Sequence, residues 1–94
     1  MRTTDQTIRN PSGLHARPAA MFVRTAAGFR SRLTLENLDR ASPPVDAKSI
    51  IAVMSSGVST GHTVRVTAEG EDEDAAIEAL GAFIASGLGE TIPG

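Results

Sequence analysis

The residues able to do chemistry gather between Asn10 and Arg24, in the run Asn-Pro-Ser-Gly-Leu-His-Ala-Arg-Pro-Ala-Ala-Met-Phe-Val-Arg. Pro11 and Gly13 interrupt regular structure, and from Ala16 onward most residues favour a helix. Pro18 falls in the first turn, where a missing N–H costs nothing. His15 then stands at the N-cap of that helix. Arg17 is a cation in a first turn, against the macrodipole, and local rules tend to be broken where function requires it. Unpaired backbone N–H groups from Ala16 and Arg17, a guanidinium and an imidazole together make a receptor for an anion, with phosphate the leading candidate. A neutral imidazole nitrogen is also a competent nucleophile at about pH 7. Phosphoryl transfer asks for positioning and charge neutralisation more than for acid–base machinery, so His15 and Arg17 suffice as its catalytic pair.

Other polar groups have plainer readings. Asp72-Glu73-Asp74 lacks the ligand spacing of a calcium loop and reads as a helix start, so no metal is expected. His62 heads an alternating strand and reads as structural. Ser49 reads first as the N-cap of a short helix, and second as a hydroxyl where an added phosphate would place charge beside apolar neighbours.

The elements that must position these groups follow from periodicity. Thr3 to Arg9 predicts a short strand with Gln6 and Ile8 inward. Ala16 to Ala27 predicts a helix burying Ala19, Phe22, Val23 and Ala26, stopped by Gly28. Arg17, Met21 and Arg24, with Ala20 alongside, form a second, exposed stripe on it. Arg32 to Glu36 alternates as a half-buried strand with Leu33 and Leu35 inside. Pro43 to Ala47 fits only a sheet edge, because proline cannot donate to a ladder. Ile50 to Ser55 predicts a short helix closed by Gly57. Its Ile50, Ile51, Val53 and Met54 exceed what one face can bury, so Ile51, Met54 and part of Ile50 are expected at the surface. His62 to Ala68 is the clearest strand, with Val64, Val66 and Ala68 inward. A last helix opens at Glu71 and buries Ile77, Leu80, Ile84 and Leu88, with Gly81 weakening it by about 1 kcal/mol relative to alanine. Gly87 and Gly89 end it, and Glu90 to Gly94 reads as a frayed tail. The order is β-α-β-β-α-β-α in one α+β domain covering residues 1–94.

Composition limits the function. The chain has no cysteine, which excludes disulfides and thiol chemistry. A net charge of −2 and three Phe without Tyr or Trp argue against nucleic-acid binding. Residues 1–9 carry no apolar leader, and no run reaches membrane-spanning length, so a cytoplasmic protein without membrane insertion is expected. Ala20, Met21 and Arg24 with Ile50, Ile51 and Met54 make an apolar patch rimmed by cations, a docking face for acidic partner proteins.

The run Gly13-Leu14-His15-Ala16-Arg17-Pro18-Ala19 resembles the active-site signature of the HPr family, histidine phosphocarriers of the bacterial phosphoenolpyruvate:sugar phosphotransferase system. Lys48-Ser49-Ile50, followed by Val53-Met54-Ser55 and Gly57, is similar to the family's second motif around a regulatory serine. The resemblance covers Thr4 to about Gly89. It implies an open-faced β-sandwich, a four-stranded antiparallel sheet with three helices on one face. It implies a stoichiometric carrier, not a turnover enzyme, with no cofactor of its own. His15 would accept a phosphoryl group on Nδ1 from phospho-enzyme I and donate it to EIIA domains of sugar permeases, with Arg17 stabilising the group. Ser49 would match the serine modified by HPr kinase/phosphorylase. Departures from the family pattern are the longer Asn37–Asp46 segment with Pro43-Pro44, Ser56 in place of a buried apolar residue, and Gln6 in the first strand. Two rivals are a carrier of a nitrogen-regulatory or dihydroxyacetone branch, and a regulatory module that binds through the same surface without transfer.

Overall fold

The computed structural model describes residues 1–90. Alternation in the sequence becomes a sheet with one dry face. Strands β1 (Arg2–Thr7), β2 (Arg32–Asn37), β3 (Val45–Asp46) and β4 (Thr63–Glu69) form one antiparallel sheet in the order β1-β4-β2-β3. Leu33 and Leu35 of β2 and Val64, Val66 and Ala68 of β4 are buried, while Thr34, Glu36, Arg65 and Thr67 between them stay partly exposed. Period-two patterning buries one face only. Helices α1 (Ala16–Ala27), α2 (Ile50–Ser55) and α3 (Glu73–Ala85) supply the covering layer. Phe22, Ala19 and Ala26 of α1, Val53 of α2 and Ala76, Leu80 and Ile84 of α3 join those strand residues in a single core. The expected order of elements and the edge position of the Pro-containing strand both hold.

Boundaries differ from expectation where side chains or prolines intervene. The first strand is Arg2–Thr7, not Thr3 to Arg9. Ile8 is still buried, but just past the strand, where its N–H donates to the His62 carbonyl and its own carbonyl accepts from Gly61. Gln6 is half-buried and its amide reaches Thr4 Oγ1 at 3.1 Å. Its neighbour across the layers is Gly81, where an added Cβ would sit 3.4 Å from Gln6 Nε2, in ordinary van der Waals contact. The edge strand shrinks to Val45–Asp46 because Pro43 and Pro44 offer no N–H to β2. Ser56 is buried and satisfies its hydroxyl on the Val53 carbonyl at 2.5 Å, which answers the loss of an apolar side chain there.

The last helix starts at Glu73, two residues later than the acidic run suggests. Asp72, at its N-cap, does not cap it. Its carboxylate turns instead to the loop after α1, accepting from the backbone N–H of Arg30 (2.8 Å) and Ser31 (2.9 Å) and from the Ser31 hydroxyl. These bonds, led by the Ser31 hydroxyl, hold the Asp72 carboxyl down at about 2, from 3.8. A depressed carboxylate contributes stability above its unfolded pKa and loses it as pH falls through the folded one. Asp72→Asn should therefore lower the melting temperature at neutral pH, with the deficit disappearing as pH drops from about 4 towards 2. A deficit of constant size across that range in parallel melts would refute a charge-dependent tie.

α3 also ends earlier, at Ala85. Leu88 is fully buried as expected, but from the turn beyond the helix and not from its stripe. Gly87, Leu88 and Gly89 take φ values of +100°, +54° and +84° in succession, reversing the chain. Glu90 is consequently no frayed end. Residues 91–94 of the expected tail lie outside the described residues.

Candidate functional site

The loop from Asn10 to Leu14 is fixed on two sides before it delivers His15. Leu14 is buried and its N–H donates to the Val58 carbonyl at 3.1 Å. Gly13 has φ +60°, and a Cβ there would fall 2.5 Å from the Val58 oxygen, so only glycine fits against that turn. Asn10 is wholly buried, and its Nδ2 donates to the Gly13 carbonyl (2.9 Å) and to Glu90 Oε1 (2.9 Å). Glu90 accepts two further bonds, from Ser12 N–H (3.0 Å) and from Ser12 Oγ (2.8 Å). The Asn10 amide and the Ser12 donors hold its carboxyl below the usual glutamate range. Since the depressed form is the charged one, this tie is complete at neutral pH and is lost only under acid conditions.

His15 occupies the N-cap of α1 with extended backbone, φ −125° and ψ 158°. Its ring does not cap the helix and makes no side-chain hydrogen bond among the described residues. Ala16 follows at φ +48°, a left-handed value that costs an alanine about 1 kcal/mol or more. The sequence suggested ordinary helix from Ala16, and this turn of the backbone was not foreseen. Beyond it, the N–H groups of Ala16 and Arg17 have no backbone partner among the described residues. Arg17 is exposed, and neither it nor Arg24 enters an ion pair among the described residues. A part-buried imidazole, two unused N–H groups and an unused guanidinium thus share three consecutive residues. That set can receive a dianionic phosphoryl group on a ring nitrogen and offset its charge without rearranging other bonds.

The residues expected to dock partners fall on two helices that pack together, α1 and α2. Ile51 is 79 % exposed, and Ile50 and Met54 are each 40 % exposed. Ala20 and Met21 are half-buried and Arg24 is exposed. Met21 is engaged beneath the C-terminal turn, where a Cβ on Gly89 would meet its Sδ at 3.0 Å. Ser49 caps α2 by accepting from the Ala52 N–H at 3.3 Å, while Lys48 Nζ is held by the Phe29 carbonyl at 2.7 Å. His62 lies apart from His15 in bonding terms. Its Nδ1 takes the Ser59 N–H (3.1 Å) and lies 3.2 Å from Asn37 Nδ2, which also reaches the Ser56 carbonyl, a structural role. Among the described residues no cluster of His, Cys, Asp or Glu could hold a metal ion, and no helix is long and apolar enough to cross a membrane.

Sequence reasoning missed Glu90 and Asn10. A single acid after two glycines has no periodic signature. The available signal was local: Asn10 and Ser12 bracket Pro11 with side chains that need partners once the loop is buried.

The family model described as "PTS HPr component phosphorylation site" matches residues 3–86. A multiphosphoryl transfer protein of Haemophilus influenzae is 51 % identical over 86 residues, covering 92 % of this chain and 17 % of that protein. The chain thus spans between 17 % and 22 % of the length of five such multiphosphoryl transfer proteins. The HPr-like protein Crh of Bacillus subtilis is 47 % identical over 77 residues, covering 82 % of this chain and 87 % of Crh. Among solved structures, HPr-C-His from Thermoanaerobacter tengcongensis superposes with a TM-score of 0.90 at 47 % identity, covering 98 % of this chain and all of that one.

Proposed function

The chain belongs to the HPr family of phosphotransferase-system phosphocarriers, and from that premise we propose that His15 is its phosphoryl-bearing residue. In this reading His15 Nδ1 attacks the phosphorus of phospho-enzyme I, the bond to the donor histidine breaks, and the group later leaves for an EIIA domain. Arg17 and the N–H groups of Ala16 and Arg17 stabilise the transferring charge. The carrier works stoichiometrically in the cytoplasm, between two proteins. The observation that supports this most is that His15 and Arg17 stand side by side at a helix start with no other employment among the described residues. A module that only binds would leave both unexplained. The test is incubation with enzyme I and phosphoenolpyruvate, where one acid-labile, base-stable phosphate per chain is expected, and no uptake would end the proposal.

Partner contact is assigned to Ala20, Met21 and Arg24 of α1 with Ile50, Ile51 and Met54 of α2. Apolar side chains this exposed on a two-turn helix have a use outside the fold, and Arg17 and Arg24 supply a cationic rim for acidic partners. Met54→Glu should weaken binding to enzyme I or EIIA about tenfold or more without lowering the melting temperature. Ser49→Asp should act in the same direction, as would a phosphate placed there by HPr kinase/phosphorylase, while keeping α2 capped. Titrations and melts on the same samples decide. Unchanged affinity in both variants removes the patch from the interface, and an unstable Met54→Glu returns Met54 to the core.

A further inference from the structure

Resting on the phosphocarrier reading, the geometry points to Glu90 as a positioning residue for His15, acting through Asn10 and Ser12. The His15 ring has no side-chain hydrogen bond of its own among the described residues, so its direction is inherited from the backbone that precedes it. That backbone is gripped twice. On one side Val58 holds Leu14 and excludes any side chain at Gly13. On the other, a single carboxylate collects Asn10 Nδ2, Ser12 N–H and Ser12 Oγ, all at 2.8–3.0 Å. Asn10 then passes the restraint on, because its second amide hydrogen is bonded to the Gly13 carbonyl, two residues before His15. Charge-assisted bonds of this length are among the stronger ones available, and three converge on one group.

The anchor is itself anchored. Leu88 is fully buried, and the left-handed run Gly87-Leu88-Gly89 turns Glu90 back towards the loop. The alternative, a surface ion pair of little consequence, does not describe Glu90: among the described residues no cation pairs with it, and each bond of its carboxylate lands on the loop that carries His15. Its contribution is geometric. Displacement of a reacting group by about 1 Å can cost on the order of a hundredfold in rate, so loosening the loop should cost somewhat less.

Glu90→Ala, Glu90→Gln and Ser12→Ala would be compared with wild type for acceptance of phosphate from phospho-enzyme I, with melts and amide hydrogen exchange on the same samples. In Glu90→Ala, exchange of the Ser12 amide should rise, and kcat for acceptance should fall about tenfold with KM near wild type, since the docking helices are untouched. Glu90→Gln should recover to within about twofold, because a glutamine oxygen still accepts from Asn10 and Ser12 N–H while its amide can donate to Ser12 Oγ. Ser12→Ala, which deletes one bond only, carries the same test at smaller amplitude should Glu90→Ala lose its melting transition. Equal kcat in wild type and the variants overturns the proposal, as does a loss confined to KM or a Glu90→Gln variant as slow as Glu90→Ala. Wild type that accepts no phosphate is a different failure, of the carrier reading itself, and takes this proposal with it.

Discussion

His15→Ala should take up no phosphate from enzyme I and phosphoenolpyruvate, while melting within a degree or two of wild type. The two halves of that result have separate physical causes. Loss of uptake follows from the proposal that the His15 imidazole is the nucleophile, and the other histidine is committed: His62 Nδ1 already takes the Ser59 N–H and faces the Asn37 amide. Retained stability follows because the His15 ring neither caps α1 nor makes a side-chain hydrogen bond among the described residues. The chemistry of the bond is part of the expectation, since a phosphoramidate is acid-labile and base-stable, unlike a serine ester. Label surviving in His15→Ala would move the nucleophile elsewhere in the chain.

Arg17→Glu should slow transfer by about a hundredfold or more, on the scale of removing one preorganised donor from a transition state and adding a repulsive charge. Stability should hold or rise slightly, because the substitution puts an acid in a first turn that contains none. The opposed signs make this informative: a structural arginine would lose stability and keep its rate. Stopped-flow or quench measurements of phosphoryl acceptance, set beside melts, separate them. Transfer within twofold of wild type would make Arg17 dispensable.

Much of this site was legible before any coordinates, and the reason is chemical. His15, Arg17 and Pro18 announce themselves by type and by their misfit with helix rules, and Ile51 and Met54 by exceeding the width of a buried face. What stayed hidden depends on partners distant in sequence. Ala16 has no propensity for left-handed φ, and its conformation is set by neighbours that already fix Gly13 and Leu14. Asp72 looked like a helix acid and proved to be a tie to Arg30 and Ser31. Glu90 looked like a loose end and proved to meet Asn10 and Ser12 across most of the chain. Periodicity reports what each element buries; it says nothing about which side chain closes a gap between elements.

The pairing of β1 with β4, Arg2 opposite Ala68, has a consequence for how the protein comes into being. β1 must wait for β4, the last strand among the described residues, and contacts so distant in sequence are slow to close. The loop bearing His15 waits longer still, since it is held by Val58 on one side and by Glu90 on the other. A nascent chain that already displays its histidine therefore lacks both grips on the loop that carries it. Only once synthesis has passed residue 90 can both grips close, so a half-made copy holds that loop less firmly than the finished chain.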